Sequence, residues 1–160
     1  MADTGLTLKV DFKDRDGFLP MLKKASLVNT SSLMRKIGMR MRKHQVGHFK
    51  KEEDSSGGKW QPLSQVTLEA RRKGKKKGRR KGILKDNGLL RDTISWSSDP
   101  DRAEVGSNQP YAATHQFGRK GGGWQGSDIP AREFLYISET EGKELAQIIG
   151  DEMFKWMKKK

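Results

Sequence analysis

The chain has 160 residues, with 33 Lys plus Arg against 20 Asp plus Glu, and a formal net charge of +13. Hydrophobic residues make up 32% of it, which leaves little apolar material for a large enzyme core. There is no cysteine, so disulfides, thiolate nucleophiles and cysteine-ligated metal centres are excluded. The length suits one compact domain spanning 1–160. No apolar run is long enough to span a membrane, and the N-terminal MADTGLTLKVDF lacks the basic flank and apolar stretch of a signal peptide. A soluble protein made and used inside a cell is the expectation.

Leu6, Leu8, Val10 and Phe12 alternate with polar residues, the period-two signature of a strand buried on one face. Asp16 can cap a short helix carrying Phe18, Leu19 and Leu22. Thr30 or Ser31 then caps a longer helix, in which Leu33, Ile37, Met41, His44 and His48 recur at three- and four-residue spacing. Asp54-Ser55-Ser56-Gly57-Gly58 ends it in a turn, and Trp60, Pro62 and Leu63 form an irregular anchor. Ser64 caps a brief helix through Val66, Leu68 and Ala70, and a helical turn follows near Asn87-Gly88.

Thr93 to Ser97 and Ala103 to Gly106 flank Ser98-Asp99-Pro100-Asp101 and read as a hairpin. Tyr111, Ala112, His115 and Phe117 suggest one or two helical turns, followed by an exposed glycine-rich loop over 118–126 that contains Trp124. Phe134 to Ile137 is apolar enough for a fourth strand or the first turn of a helix, and pattern alone does not separate these. Thr140 opens a last helix with an apolar stripe of Leu145, Ile148, Ile149, Met153, Trp156 and Met157. The expected fold is a small α+β domain: a three- or four-stranded, mainly antiparallel sheet packed by the long helix of the N-terminal half and the C-terminal helix.

The charge is concentrated. Residues 71–85 hold ten basic and no acidic side chains, interrupted by Gly74, Gly78 and Gly82. Like charges at that density repel, so 71–82 reads as a flexible basic loop. Arg71, Arg72, Lys73, Lys75, Lys76, Lys77, Arg79, Arg80 and Lys81 are candidate contacts for nucleic-acid phosphates or for an acidic protein partner. No aromatic is interspersed among them, which argues against a base-stacking platform.

Catalytic signatures are weak. His44 and His48 have the spacing of two zinc ligands on a helix, but the residues between them supply no glutamate base. Their place on the apolar stripe suits core or interface histidines. His115 has no convincing nucleophile partner, no serine sits in a nucleophile elbow, and no phosphate-binding or dinucleotide glycine motif is present. No catalytic residue, metal ligand or cofactor is assigned.

Five blocks in fixed order are more specific: Gly58-Lys59-Trp60-Gln61-Pro62-Leu63; Ile83-Leu84-Lys85-Asp86-Asn87-Gly88-Leu89-Leu90; Val105-Gly106-Ser107-Asn108-Gln109-Pro110-Tyr111-Ala112; His115-Gln116-Phe117-Gly118; and Ile129-Pro130-Ala131-Arg132-Glu133-Phe134-Leu135. Together they resemble the phage virion morphogenesis family, the tail completion proteins of contractile-tailed phages and Mu-like prophages. The resemblance runs over nearly the whole chain, with one modest departure: Asn87 stands where the family usually has threonine.

The resemblance implies a non-enzymatic structural protein of the tail or neck of the virion, present in the host cytoplasm during assembly. It would finish the tail and help join it to the head around the DNA channel. Related neck proteins form rings, commonly hexameric, so the implied partners are further copies of the chain, a tail tube or terminator, head-connector proteins and double-stranded DNA, with no membrane. In that setting Gly106, Gly118 and Pro130 would set turns at the rim of the sheet, while Trp60, Tyr111, Phe117 and Phe134 would fill the core or the subunit contact; Pro62, Gly88 and His115 are further structural or interface candidates. Arg132 would pair with a carboxylate or carbonyl across that contact or act as an intramolecular clamp. Trp124 is the leading interface aromatic, because a glycine-flanked loop is poorly placed to bury an indole. Two other readings stand beside this one: a monomeric basic nucleic-acid-binding accessory protein, and a metal-dependent hydrolase using His44 and His48.

Overall fold

Thr30 opens a 22-residue helix that the absence of proline and the recurrence of apolar side chains sustain as far as Lys51 (α1, Thr30–Lys51). The structure, a computed structural model, describes residues 6–11, 30–73, 82–121, 126 and 128–158. The other elements are β1 (Leu6–Asp11), α2 (Gln65–Lys73), α3 (Leu89–Asp92), β2 (Ser95–Asp99), β3 (Arg102–Ser107), α4 (Ala112–Phe117) and α5 (Glu139–Met157). The expected mixed α+β class and two long helices are observed, with three strands in the order β1-β3-β2. The short helix expected around Phe18 lies outside the described residues.

The chain divides into two compact units. One takes in Thr7–His44, Ser95–Gly106 and Ile137–Lys160. Its hairpin is antiparallel, with Trp96 opposite Val105 and Asp99 opposite Arg102, joined through Pro100-Asp101. Alternation along β3 buries Ala103 and Val105 completely. Leu33, Met34, Ile37, Met41 and Leu145 are buried in the same unit. Trp96 lies so close to α1 that a β-carbon on Gly38 would meet its Cε3 at 2.5 Å.

A capping box starts α5. Ser138 Oγ accepts from the Glu141 amide at 3.4 Å, and the Ser138 amide donates to Glu141 Oε2 at 2.9 Å. Lys36 pairs with Glu152 at 2.6 Å and Arg40 with Glu144 at 2.8 Å. The apolar stripe of α5 is shorter than its sequence suggests. Leu145 is buried, but Met157 is 64% exposed, so the stripe stops short of the helix end.

The second unit holds Gln45–Ile94 and Ser107–Tyr136. Phe49, Trp60, Leu90, Ile94, Ala112 and Phe134 are buried there, with Phe49 edge-on to Trp60. At the end of α1, Glu52 takes a left-handed conformation with φ 56°, and its amide donates to the His48 carbonyl at 2.8 Å. Asp54 Oδ1 then accepts from the amides of Ser56 and Gly58 and from the Ser56 hydroxyl, which fixes the following turn. These bonds, the Ser56 hydroxyl first, hold the Asp54 carboxyl below its ordinary pKa. Ser64 caps α2 as expected, its Oγ accepting from the Thr67 amide at 3.3 Å.

Candidate functional site

Phe134 to Ile137 is neither a strand nor a helical turn. It is an irregular segment with a bend at Leu135, and in the part that belongs to the second unit, up to Tyr136, side chains meet the backbone groups that a sheet partner would otherwise bond. Gln45 Oε1 accepts from the Tyr136 amide at 3.1 Å while its Nε2 donates to the Tyr136 carbonyl at 2.7 Å. Gln116 Oε1 accepts from the amides of Phe134 and Leu135, and its Nε2 donates to the Leu135 carbonyl. His48 Nδ1 donates to the Phe134 carbonyl at 3.0 Å, and Trp60 Nε1 to the Glu133 carbonyl at 2.9 Å. Four side chains from three parts of the chain thus clamp one strip of backbone.

The strip continues back to Arg132, where a cleft of about 730 Å³ opens. Leu63, Val66, Leu84, Leu90, Ile129 and Pro130 give it apolar walls, and Tyr111, His115 and Arg132 add polar ones. Arg132 is 6% exposed; its Nε donates to the Gln61 carbonyl at 3.0 Å and its Nη2 to the Pro62 carbonyl at 3.2 Å. The intramolecular clamp is therefore realised. Burial lowers the Arg132 pKa, and burial followed by the Arg132 charge lowers that of His115. His115 Nδ1 is buried with no hydrogen-bond partner among the described residues.

The other sequence candidates are placed as follows. Trp60 and Phe134 are core residues, 3% and 0% exposed. Pro62 and Pro130 line the cleft. Gly88 has φ 79° and caps α3, and Gly118 has φ 74° beside the bridge between Arg119 and Ile129. Gly106 does not set a turn: it lies within β3, paired with Ser95. Phe117 does not fill the core; at 71% exposure its ring is on the surface of the chain. Trp124 lies outside the described residues.

Of the nine cations assigned to a basic loop, Arg71, Arg72 and Lys73 form the last turn of α2 instead. Arg71 Nη1 donates to the Gly82 carbonyl at 2.9 Å, while Glu52 Oε1 accepts from the Ile83 amide and from Lys85 Nζ. The two ends of the basic run are tied down by these contacts. Lys75, Lys76, Lys77, Arg79, Arg80 and Lys81 lie outside the described residues.

The two helical histidines have separate duties. His48, 1% exposed, stacks on Tyr136 with ring centroids 3.8 Å apart. His44 faces carboxylates, with Nδ1 3.3 Å from Glu141 and Nε2 3.0 Å from Glu144. Among the described residues no three His, Cys, Asp or Glu side chains group so as to hold a metal ion, and no described helix is long and apolar enough to cross a membrane. Gln45 and Gln116 were not legible as site residues. The available signals were Gln45 at stripe spacing between Met41 and His48, a polar residue where burial is expected, and the place of Gln116 inside the His115-Gln116-Phe117-Gly118 block.

The chain is 38% identical over 68 residues to "Mu-like prophage FluMu G protein 2" of Haemophilus influenzae, a match that covers 42% of this chain and 49% of that protein. The chain thus spans about half the length of this curated relative. No solved structure matches. A profile of the phage virion morphogenesis family matches residues 12–153, a span that includes α1, the clamped strip and most of α5. The chain belongs to the phage virion morphogenesis family.

Proposed function

We propose that the chain is a non-enzymatic structural component of the virion tail or neck, which finishes the tail end and helps join it to the head around the DNA channel. The observation that carries this reading is the family match over residues 12–153. The name of the Mu-like prophage relative supports it. The architecture is consistent with it, because the buried polar groups of the second unit hold a backbone strip and are not arranged as nucleophile and base.

Self-association into a ring, most simply a hexamer, belongs to the same proposal. Phe117 is 71% and Tyr111 37% exposed at the two ends of α4, and exposed aromatics of this size are favoured at the buried centres of interfaces. The basic run beginning at Arg71 would face DNA or an acidic neighbour, contributing salt-sensitive affinity without sequence readout. The test is the protein composition of purified particles and of separated head and tail fractions, by quantitative mass spectrometry. The proposal expects the chain in complete particles and in the tail fraction at a fixed copy number per tail. Its absence from both would overturn the reading.

A further inference from the structure

The cleft beside Arg132 holds a charge that no described residue neutralises. Arg132 is almost wholly buried, its Nε and Nη2 are used on two neutral carbonyls, and no described carboxylate pairs with it. A buried cation met only by neutral acceptors is incompletely compensated, and a guanidinium fork suits a carboxylate. The volume of about 730 Å³ falls within the ordinary range of ligand pockets.

The walls select the kind of anion. Leu63, Leu84, Leu90 and Ile129 favour apolar side chains, which a polyphosphate backbone does not offer; Asp86 is countered by Arg71 Nε at 3.9 Å, and Asp128 opposes a guest that carries more than one negative charge. The chain's net charge of +13 favours an acidic partner at this cleft over a second copy, whose contact in the proposed ring is assigned to the exposed Phe117. We propose that this cleft docks a segment of a different virion protein that presents one glutamate or aspartate among apolar residues, its carboxylate pairing with Arg132. Tyr111, 37% exposed at the cleft wall, would cover the segment. The proposal takes its biological sense from the assembly reading, but it concerns a binding event measurable on the isolated full-length chain.

The test uses isotope-labelled full-length protein and two pools of acetylated, amidated pentapeptides. One pool has a central Glu or Asp flanked by randomised Leu, Ile, Val and Phe, and the other has Gln or Asn at the centre. The expected result is movement of the Arg132 Nε–H resonance and of amides around Leu63, Leu84 and Ile129 with the acidic pool, and at least about tenfold weaker binding of the neutral one. Val66, 69% exposed at the cleft, supplies a variant that leaves the core untouched: Val66→Glu should weaken acidic-pool binding several-fold while the rest of the spectrum stays unchanged.

Equal response to both pools, no response, or indifference to Val66→Glu would overturn the proposal. So would the same cleft shifts with inorganic phosphate, which would mark a general anion site, or with increasing protein concentration, which would mark a self-contact. Particle composition can support the assembly reading while the peptides fail, so the two failures are distinguishable.

Discussion

Gln45 and Tyr136, 91 positions apart, are joined as two residues of neighbouring β-strands would be, except that one side is a side-chain amide: Gln45 accepts from the Tyr136 amide and donates to its carbonyl. Gln45 is fully buried and Tyr136 nearly so, so water cannot replace these bonds. Gln45→Leu keeps the volume and strands both backbone groups. Each stranded group costs about 1–3 kcal/mol, so we expect a loss of about 3 kcal/mol in urea unfolding. A loss under about 0.5 kcal/mol would contradict a clamping role.

Gly38 and Gly47 lie on the same helix and should respond in opposite senses to alanine. At Gly47 the new methyl meets nothing within 4 Å, so only helix propensity changes, a gain of up to about 1 kcal/mol. At Gly38 the same gain is opposed by the Trp96 ring at 2.5 Å, and overpacking costs about 1–3 kcal/mol. Gly38→Ala should therefore lower stability and shift Trp emission, while Gly47→Ala raises stability. Stabilisation of both would show that Trp96 is not packed on α1.

Gly118→Ala combines two penalties. Its φ of 74° is unfavourable for alanine, and the added carbon would stand 2.8 Å from the Ala131 nitrogen and 2.9 Å from the Ile129 oxygen. Both neighbours are backbone and cannot swing away. We expect a loss of more than about 2 kcal/mol, with amide shifts spreading to Ile129 and Arg132. A neutral substitution would mean that the Arg119–Ile129 bridge does not constrain the loop.

The hairpin and the start of α1 were legible because their signals are local. Alternation around Asp99-Pro100 and the helical recurrence of Leu33, Ile37 and Met41 each need only neighbouring residues. The clamped strip was not legible, since the partners of Phe134, Leu135 and Tyr136 are Gln45, His48 and Gln116, and no periodicity links positions so far apart. An apolar run of that length looks like a strand whether its bonds go to backbone or to side chains. The exposure of Met157 was missed for a related reason: pattern assigns a face, and packing decides how much of it is covered. The family blocks named the cleft-lining Arg132 and Pro130, but only coordinates assign Arg132 its two carbonyls.

His115 makes stability depend on pH. Burial, reinforced by Arg132, lowers its pKa below the ordinary 6.5, so the unfolded chain binds a proton on this ring in a range where the folded chain does not. Stability from this group is complete above about pH 6.5 and falls as pH drops below it, levelling off beneath the folded-state value. His115→Gln should flatten that part of the profile in urea midpoints measured from about pH 8 to about pH 5. Identical slopes for variant and parent would contradict the assigned shift.

The assembly role is tested most directly by deleting the coding sequence from a phage genome that carries it and counting joined and separate particles in the lysate by electron microscopy. The account predicts DNA-filled heads and unattached tails accumulating apart, restored to whole particles when the intact chain is supplied from a plasmid. Whole, infectious particles at undiminished numbers in the deletion lysate would contradict it.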